Sequence, residues 1–241
     1  MAAWFALLFI AERWRPAAAP HLAEPAWRRL ARNAALWAVN ALISPLAVVP
    51  VSAYAAAHAL PWRPAWWGGP AGLVADLLLL DFLIYWWHRA NHVVPVLWRF
   101  HAVHHYDRFL DTTSALRFHF GEVLLSAGAR AAVIVLVAIP LSSVLAFEAL
   151  VLIAALFHHS NVRLPAAFER ALSRVVVTPS IHWVHHHRVR TDTDANYSTI
   201  LSLWDPLFAS RSPHRRSPDM AIGVEAREER PLPGLLVAPF R

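Results

Sequence analysis

Four stretches of this chain are apolar for close to the ~20 residues that crossing a bilayer requires. They run 34–60, 71–87, 120–139 and 141–157. The first contains no Asp, Glu or Arg. The second contains Asp76 and Asp81 and closes on Tyr85-Trp86-Trp87, an interfacial aromatic group. The last two flank Pro140 and read as a helical hairpin. No internal repeat and no long strand pattern accompanies them. The expected fold is therefore all-α: an integral membrane protein with about four transmembrane helices. Composition points the same way, with 57% apolar and only 16% charged residues, against roughly 45–50% and ~25% in a soluble domain. Cysteine is absent, which excludes disulfides, thiolate zinc sites and iron–sulfur clusters within the chain. The seven glycines form neither GxGxxG nor a P-loop, which argues against a nucleotide fold.

The net charge is +6, and all 22 cations are Arg. In so apolar a chain this balance indicates a cytoplasmic membrane face rather than nucleic acid. Four spans place 20 of the 22 Arg on one side, which the positive-inside rule makes cytoplasmic. The same parity brings His88, His119 and His159, at three span ends, to that face. Arg130 and Glu148 fall mid-span, where an ionised residue costs roughly 2.5–3.5 kcal/mol. Counted from Pro140, their depths differ by only about 3 Å. An ion pair inside the hairpin is expected, the alternative being a polar substrate or proton path.

Three regions follow. Residues 1–33 form an amino-terminal interfacial segment: 2–11 is apolar, too short to span, and preceded by no basic region. Residues 34–209 form the membrane domain, capped by a cytoplasmic, helical, histidine-rich layer drawn from 88–119 and 158–209. Residues 210–241, rich in Pro and Arg, are expected as a surface tail. The Ala-rich, all-Arg composition points to a GC-rich bacterial genome, and so to the inner membrane.

Fifteen histidines are the outlier. His88 and His92 stand at i, i+4, which puts both rings on one helical face. His101, His104 and His105 form an HxxHH cluster, and His182, His185 and His186 form a second. Imidazole suits iron, zinc, copper and nickel. Eight such rings exceed the four ligands of one tetrahedral zinc, and the surplus argues for two metal ions.

These residues also carry a resemblance. Asp81-Phe-Leu-Ile-Tyr-Trp-Trp-His88-Arg, Trp98-Arg-Phe-His101-Ala-Val-His104-His105, Leu110-Asp111 with Arg117-Phe-His119, Phe157-His158-His159-Ser-Asn161, and His182-Trp-Val-His185-His186 followed by Asn196-Tyr197 and Trp204-Asp205-Pro-Leu-Phe208 resemble the fatty acid hydroxylase/sterol desaturase superfamily. The likeness runs from about Asp81 to Phe208. It implies a membrane di-iron oxygenase whose boxes ligate the metals: His88, His92, His101, His104, His105, His182, His185 and His186. It adds His159, rather than His158, and His119 as further ligands. Asp107, Asp111, Glu122, Asp192, Asp194 and Asp205 are candidate hydrogen-bond partners for those rings. Asp111 and Asp205 are favoured because they lie in the family-like stretches, with Asn161 and Asn196 beside them. His119 is followed by Phe-Gly-Glu122 where the family often has Pro. Asn196-Tyr197 is followed by Ser198 where Gly is commoner, and Phe208-Ala209-Ser210 replaces Phe-Gly-Thr.

The implied reaction is O₂-dependent hydroxylation or desaturation of a lipid: fatty acyl, sterol or carotenoid-like. Two iron ions serve it, with zinc as a possible substitute, and a separate electron-donor protein supplies reducing equivalents. Trp183, between presumed ligands, lines a channel or packs at the interface. Two other readings compete. A zinc-dependent membrane hydrolase lacks an HExxH motif to support it. A metal-binding membrane transporter would place its ligands within the spans rather than beyond them.

Overall fold

The computed structural model describes residues 1–20 and 24–241; the regular elements among them are all helices, joined by loops, with no strand. α1 is Ala2–Trp14. α2 (Ala26–Ile43) runs through a π-helical turn, Ser44–Val48, into α3 (Val49–Ala57). α4 is Gly69–Val93, α5 Pro95–His105, α6 Phe120–Val137 and α7 Leu141–His159. Short helices follow: α8 (Ala166–Leu172), α9 (Pro179–His185), α10 (Arg190–Thr193), α11 (Trp204–Leu207) and α12 (Leu232–Val237).

Four segments are long and apolar enough to cross a membrane: Ala26–Ala57, Gly69–Val93, Phe120–Val137 and Leu141–His159. The first begins eight residues before the expected 34. The polar run Arg28-Arg29-Leu-Ala-Arg32-Asn33 belongs to the same helix: Arg29 pairs with Asp107 and Asp111 and Arg32 with Glu24 and Glu229, while Arg28 stays exposed. The second extends six residues past Trp87, so His88 and His92 ride on the spanning helix itself. Pro45 has no N–H to give the helical ladder, and the chain widens there into the π turn, closed by Val49 N–H donating to the Ser44 carbonyl.

The stem is tied at the end remote from the histidines by Ala55, Leu80, Ile134, Ile139, Val144 and Phe147, all buried. α6 ends at Ala138, which adopts a left-handed conformation (φ 57°) before Pro140 restarts the chain as α7. Arg63 steadies this corner, donating to the Ala138 carbonyl (3.1 Å) and to Asp76 (2.8 Å).

The cap is clamped to the stem by a buried polar network. Arg29, 2% exposed, donates to both oxygens of Asp107 (2.6 and 2.9 Å) and to Asp111 (2.8 Å). α1 lies against α7 and the Thr112–Leu116 turn. Its buried Glu12 accepts from the Thr112 and Asn161 backbone N–H groups (2.9 and 3.0 Å). Residues 210–241, expected as a surface tail, return to the body instead. Leu235 is fully buried against Leu36, Ala102, Val103 and Tyr106. The reason is a short apolar run in α12, masked in the sequence by the Pro- and Arg-rich residues around it.

Candidate metal centre

Four elements converge on one point. The last two turns of α4 bring His88 and His92, and the last two turns of α5 bring His101, His104 and His105. α7 ends on His159, and α9 with its C-cap supplies His182, His185 and His186. Pro179 in the first turn of α9, and Pro95 in that of α5, start each helix where a missing N–H costs nothing.

The rings sort into two groups. His88, His92, His101, His105 and His185 form one, and His104, His159, His182 and His186 the other. Within each, the ligand nitrogens lie within 4.8 Å of one another. All are buried except His88, which is partly so.

Ring orientation follows from the Nδ1 atoms. Those of His88, His104, His159 and His185 face the carbonyls of Tyr197, Arg117, Ala155 and Ala195, at 2.7–3.0 Å. A carbonyl only accepts, so each Nδ1 carries the proton and each Nε2 presents a lone pair. His104 and His159 then point lone pairs at each other across 3.0 Å. The Nε2 atoms of His159 and His182 lie 2.9 Å apart and those of His182 and His186 3.1 Å, while Nδ1 of His182 and of His186 faces no partner that would fix its proton. Bonds of ~2.1 Å to a common ion put two nitrogens about 3 Å apart. The nitrogens present therefore fit a metal, and a cation between them removes a repulsion that protein alone leaves standing. Burial, helped by neighbouring rings, pushes the pKa of His104, His105, His182, His185 and His186 well below the usual imidazole value, which keeps them neutral. Neutral imidazole is the ligating form.

The carboxylates beside the rings are not the two favoured by position in the sequence. Glu122 accepts from His101 Nδ1 at 2.7 Å, and Asp194 lies 3.3 Å from His92 Nδ1. Asp111 instead pairs with Arg29 and caps Thr112–Leu116, accepting from Thr113 N–H at 2.8 Å. Asp205 acts one step removed. It accepts from the Tyr197 and Ser198 backbone N–H groups (2.7 and 3.1 Å) and so holds the loop whose carbonyl orients His88. Asn196, in the left-handed region (φ 55°), lets the carbonyls on either side of it reach His185 and His88. That conformation is commoner for Asn than for most residues. Asn161 ties the Ala18 backbone, accepting at 3.0 Å and donating at 2.8 Å, and touches no ring.

Three further histidines need placing. His119 joins neither group. Its Nδ1 caps α6 by accepting from Gly121 N–H (2.9 Å), and its Nε2 donates to the Leu236 carbonyl (3.1 Å), so both nitrogens are spent. The docked α12 supplies that second partner, which is why the sequence alone kept His119 as a ligand candidate. His187 Nδ1 pairs with Asp192 at 2.7 Å. His158 is 2% exposed, its ring centroid 4.0 Å from that of His182 and tilted by 41°, buried beside the four-histidine group but outside it. Trp183 is buried against Phe109, with Arg216 over its ring at 3.9 Å.

A cavity of about 550 Å³ opens beneath the histidines and runs into the stem between α2, α4, α6 and α7. His88, His101, His104, His158, His159 and His182 form its roof. Ile84, Val123, Val151 and Leu152 line its flank, and Arg130 and Glu148 its floor, paired at 2.6 Å.

Residues 73–210 match the fatty acid hydroxylase family, so the chain belongs to that family. Among curated proteins it is similar to the ornithine lipid hydroxylase OlsE of Rhizobium tropici, 29% identical over 196 residues, which covers 81% of this chain and 58% of that protein. It is also similar to the alkylglycerol monooxygenases of Danio rerio and Homo sapiens, each 30% identical over 64% and 63% of this chain and 32% of theirs. The chain thus spans about half or a third of the length of these relatives, which are oxidoreductases named for lipid substrates. No solved structure matches.

Proposed function

We propose that this protein is a membrane lipid hydroxylase or desaturase whose two histidine groups each hold an iron ion on the cytoplasmic side. The observation that carries the reading is the facing lone pairs of His104 and His159, at the roof of an apolar cavity inside a four-span stem. Bound there, a pair of iron ions supplies the O₂ chemistry that attacks an unactivated C–H bond. The nine histidines hold the ions: five around one, four around the other. His158 and Glu122 face the same cavity and shape its reacting end. The stem admits an alkyl chain directly from the bilayer and excludes water from the roof, so the substrate never has to be drawn into solution. The relatives' names support lipids as the substrate class. The sequence carries no haem, flavin or iron–sulfur motif, and a separate electron-donor protein is part of the proposal. The Arg distribution supports a cytoplasmic cap, and the Ala-rich, all-Arg composition supports a bacterial inner membrane.

The test is untargeted lipid analysis of cells with and without the gene product under ¹⁸O₂, alongside elemental analysis of purified protein. Hydroxylation predicts one ¹⁸O per product and about two iron ions per chain. Desaturation predicts an unsaturated product without label. One metal or fewer in a fully loaded, folded sample sinks the two-iron reading.

A further inference from the structure

Midway along the stem lies a charged pair that metal binding does not use. Arg130 on α6 and Glu148 on α7 form an ion pair (2.6 Å) midway along their helices. Ionised side chains at that depth are costly, and they usually line a path or contact a ligand. The pair is not sealed inside protein: the side chains are 18% and 43% exposed, and both face the cavity whose roof is the histidine cluster.

Two details separate this pair from a purely structural strut. The Nε of Arg130 is buried and has no hydrogen-bond acceptor. A guanidinium offers five donors, so the link to Glu148 leaves most of them free, Nε among them, and an unmet buried donor is costly. The π turn packs against α6, and its Ser44 and Val48 line the same cavity. π turns widen a helix and recur at functional sites. The geometry is that of a lumen: reacting end at the histidines, polar floor at the ion pair, apolar flank between.

We infer that Arg130, braced by Glu148, recognises an oxygen-bearing group at the buried end of the lipid substrate, a hydroxyl or a carboxylate that accepts from the guanidinium. The inference rests on the lipid-oxygenase reading and deepens it by naming a chemical requirement of the substrate. Glu122 to Arg130 is eight residues along α6, about 12 Å, and Glu148 to His159 is eleven along α7, about 16 Å. The pair therefore also acts as a ruler: over those helical rises an extended alkyl chain places the carbon presented to the histidines roughly nine to thirteen carbon–carbon bonds from the polar end.

The test needs no turnover. The chain is free of cysteine, so Ser126→Cys, on the cavity wall between roof and floor, provides a single thiol in the full-length protein. Its modification by a methanethiosulfonate reagent is followed while 1-dodecanol, dodecanoate or dodecane is added. In the otherwise unaltered chain, dodecanol or dodecanoate should protect the thiol at roughly tenfold lower concentration than dodecane, equivalent to ~1.4 kcal/mol. An advantage shared by both assigns a neutral or ionised oxygen, and one confined to dodecanoate assigns a carboxylate. The paired change Arg130→Met with Glu148→Leu should erase the advantage. Arg130→Lys, which keeps the ion pair and a folded stem but has no Nε, should cut it to about twofold or less. Membrane partitioning is common to all these chains and cancels in the comparison. Equal protection by the three probes, or an undiminished advantage in either variant, overturns the inference and leaves the lipid cavity standing. Failure of every probe to protect instead removes the lipid cavity, and the proposed function with it.

Discussion

Glu122 offers the sharpest perturbation of the metal centre, because it touches a ring without belonging to either histidine group. Its Oε1 accepts from His101 Nδ1 at 2.7 Å, while Oε2 is buried without a partner. Holding the proton on Nδ1 turns His101 Nε2 toward the group it shares with His88, His92, His105 and His185. Glu122→Ala leaves that Nδ1–H buried and unpaired, which costs about 1–3 kcal/mol. Losing a hydrogen-bond partner of a ligating histidine typically weakens metal binding or activity 10–100-fold. Both routes converge on a loss of ~1.4–2.8 kcal/mol in metal affinity. Glu122→Gln retains an oxygen that can still accept the bond, so its loss should stay below about tenfold. The assay is chelator competition on purified protein, with metal counted per chain and helicity matched across variants. An affinity for Glu122→Ala within twofold of the unaltered chain refutes the positioning argument. Glu122→Gln losing as much as Glu122→Ala refutes it differently, by making the carboxylate a ligand.

Other perturbations bear on different parts of the molecule. Arg29→Met strands Asp107 and Asp111 in the interior and should destabilise the protein by ~3–5 kcal/mol, read as a shift in denaturant midpoint. The guanidinium holds the Asp107 carboxyl down to about 2, below its ordinary 3.8, against the opposing effect of its burial. Its contribution is thus complete above about pH 4 and lost as pH falls toward 2; Asp107→Asn should flatten that acid limb. His159→Ala should lower metal content, whereas His119→Ala should keep metal and lose stability through its cap on α6 and its bond to Leu236. Single cysteines at the exposed positions Asp219 and Ala65 should react with an impermeant thiol reagent from opposite sides of the membrane, Asp219 from the cytoplasm; reaction of both from one side contradicts a four-span topology.

The features that were legible in the sequence are those written in side-chain type and period. Apolar runs marked four spans with ends up to eight residues off, and the i, i+3 and i, i+4 spacings marked eight of the nine histidines that the structure gathers, His159 being added by the family resemblance. Charge complementarity at matched depth foretold the Arg130–Glu148 pair. What escaped depends on contacts between distant segments. Four of the ring protons are fixed by backbone carbonyls, at Tyr197, Arg117, Ala155 and Ala195, and a carbonyl is present in every residue, so it leaves no trace in the sequence. His119 looked like a ligand because its neighbours resemble a box, and only the docking of α12 shows where its second nitrogen goes. Asp111 and Glu122 were both candidates; the distinction between them is that Arg29 arrives beside one and His101 beside the other.

The same contacts explain how the cap tolerates a cluster of like dipoles. Nine imidazoles crowd together, and His104 and His159, whose Nδ1 protons are held by carbonyls, turn Nε2 lone pairs on each other at 3.0 Å, a contact that repels when no cation lies between them; burial keeps His104 neutral, so no second proton bridges the pair. Something else must keep the helices together. Arg29 fastens the start of α2 to Asp107 and Asp111, just beyond the box on α5. Arg117, fully buried, donates to the Val103 carbonyl (2.9 Å) and to Glu229 (2.8 Å), tying α5 to the returning carboxyl-terminal segment. Glu12 fastens α1 to both the Thr112 turn and Asn161, two residues after His159. These charged anchors stand outside the histidine cluster and bind to backbone or to each other. None of them uses a ring nitrogen, so the contacts that hold the cap do not depend on an ion. It follows that removing metal with a chelator should leave the helical content unchanged, while Arg29→Met should make helicity in the cap depend on metal.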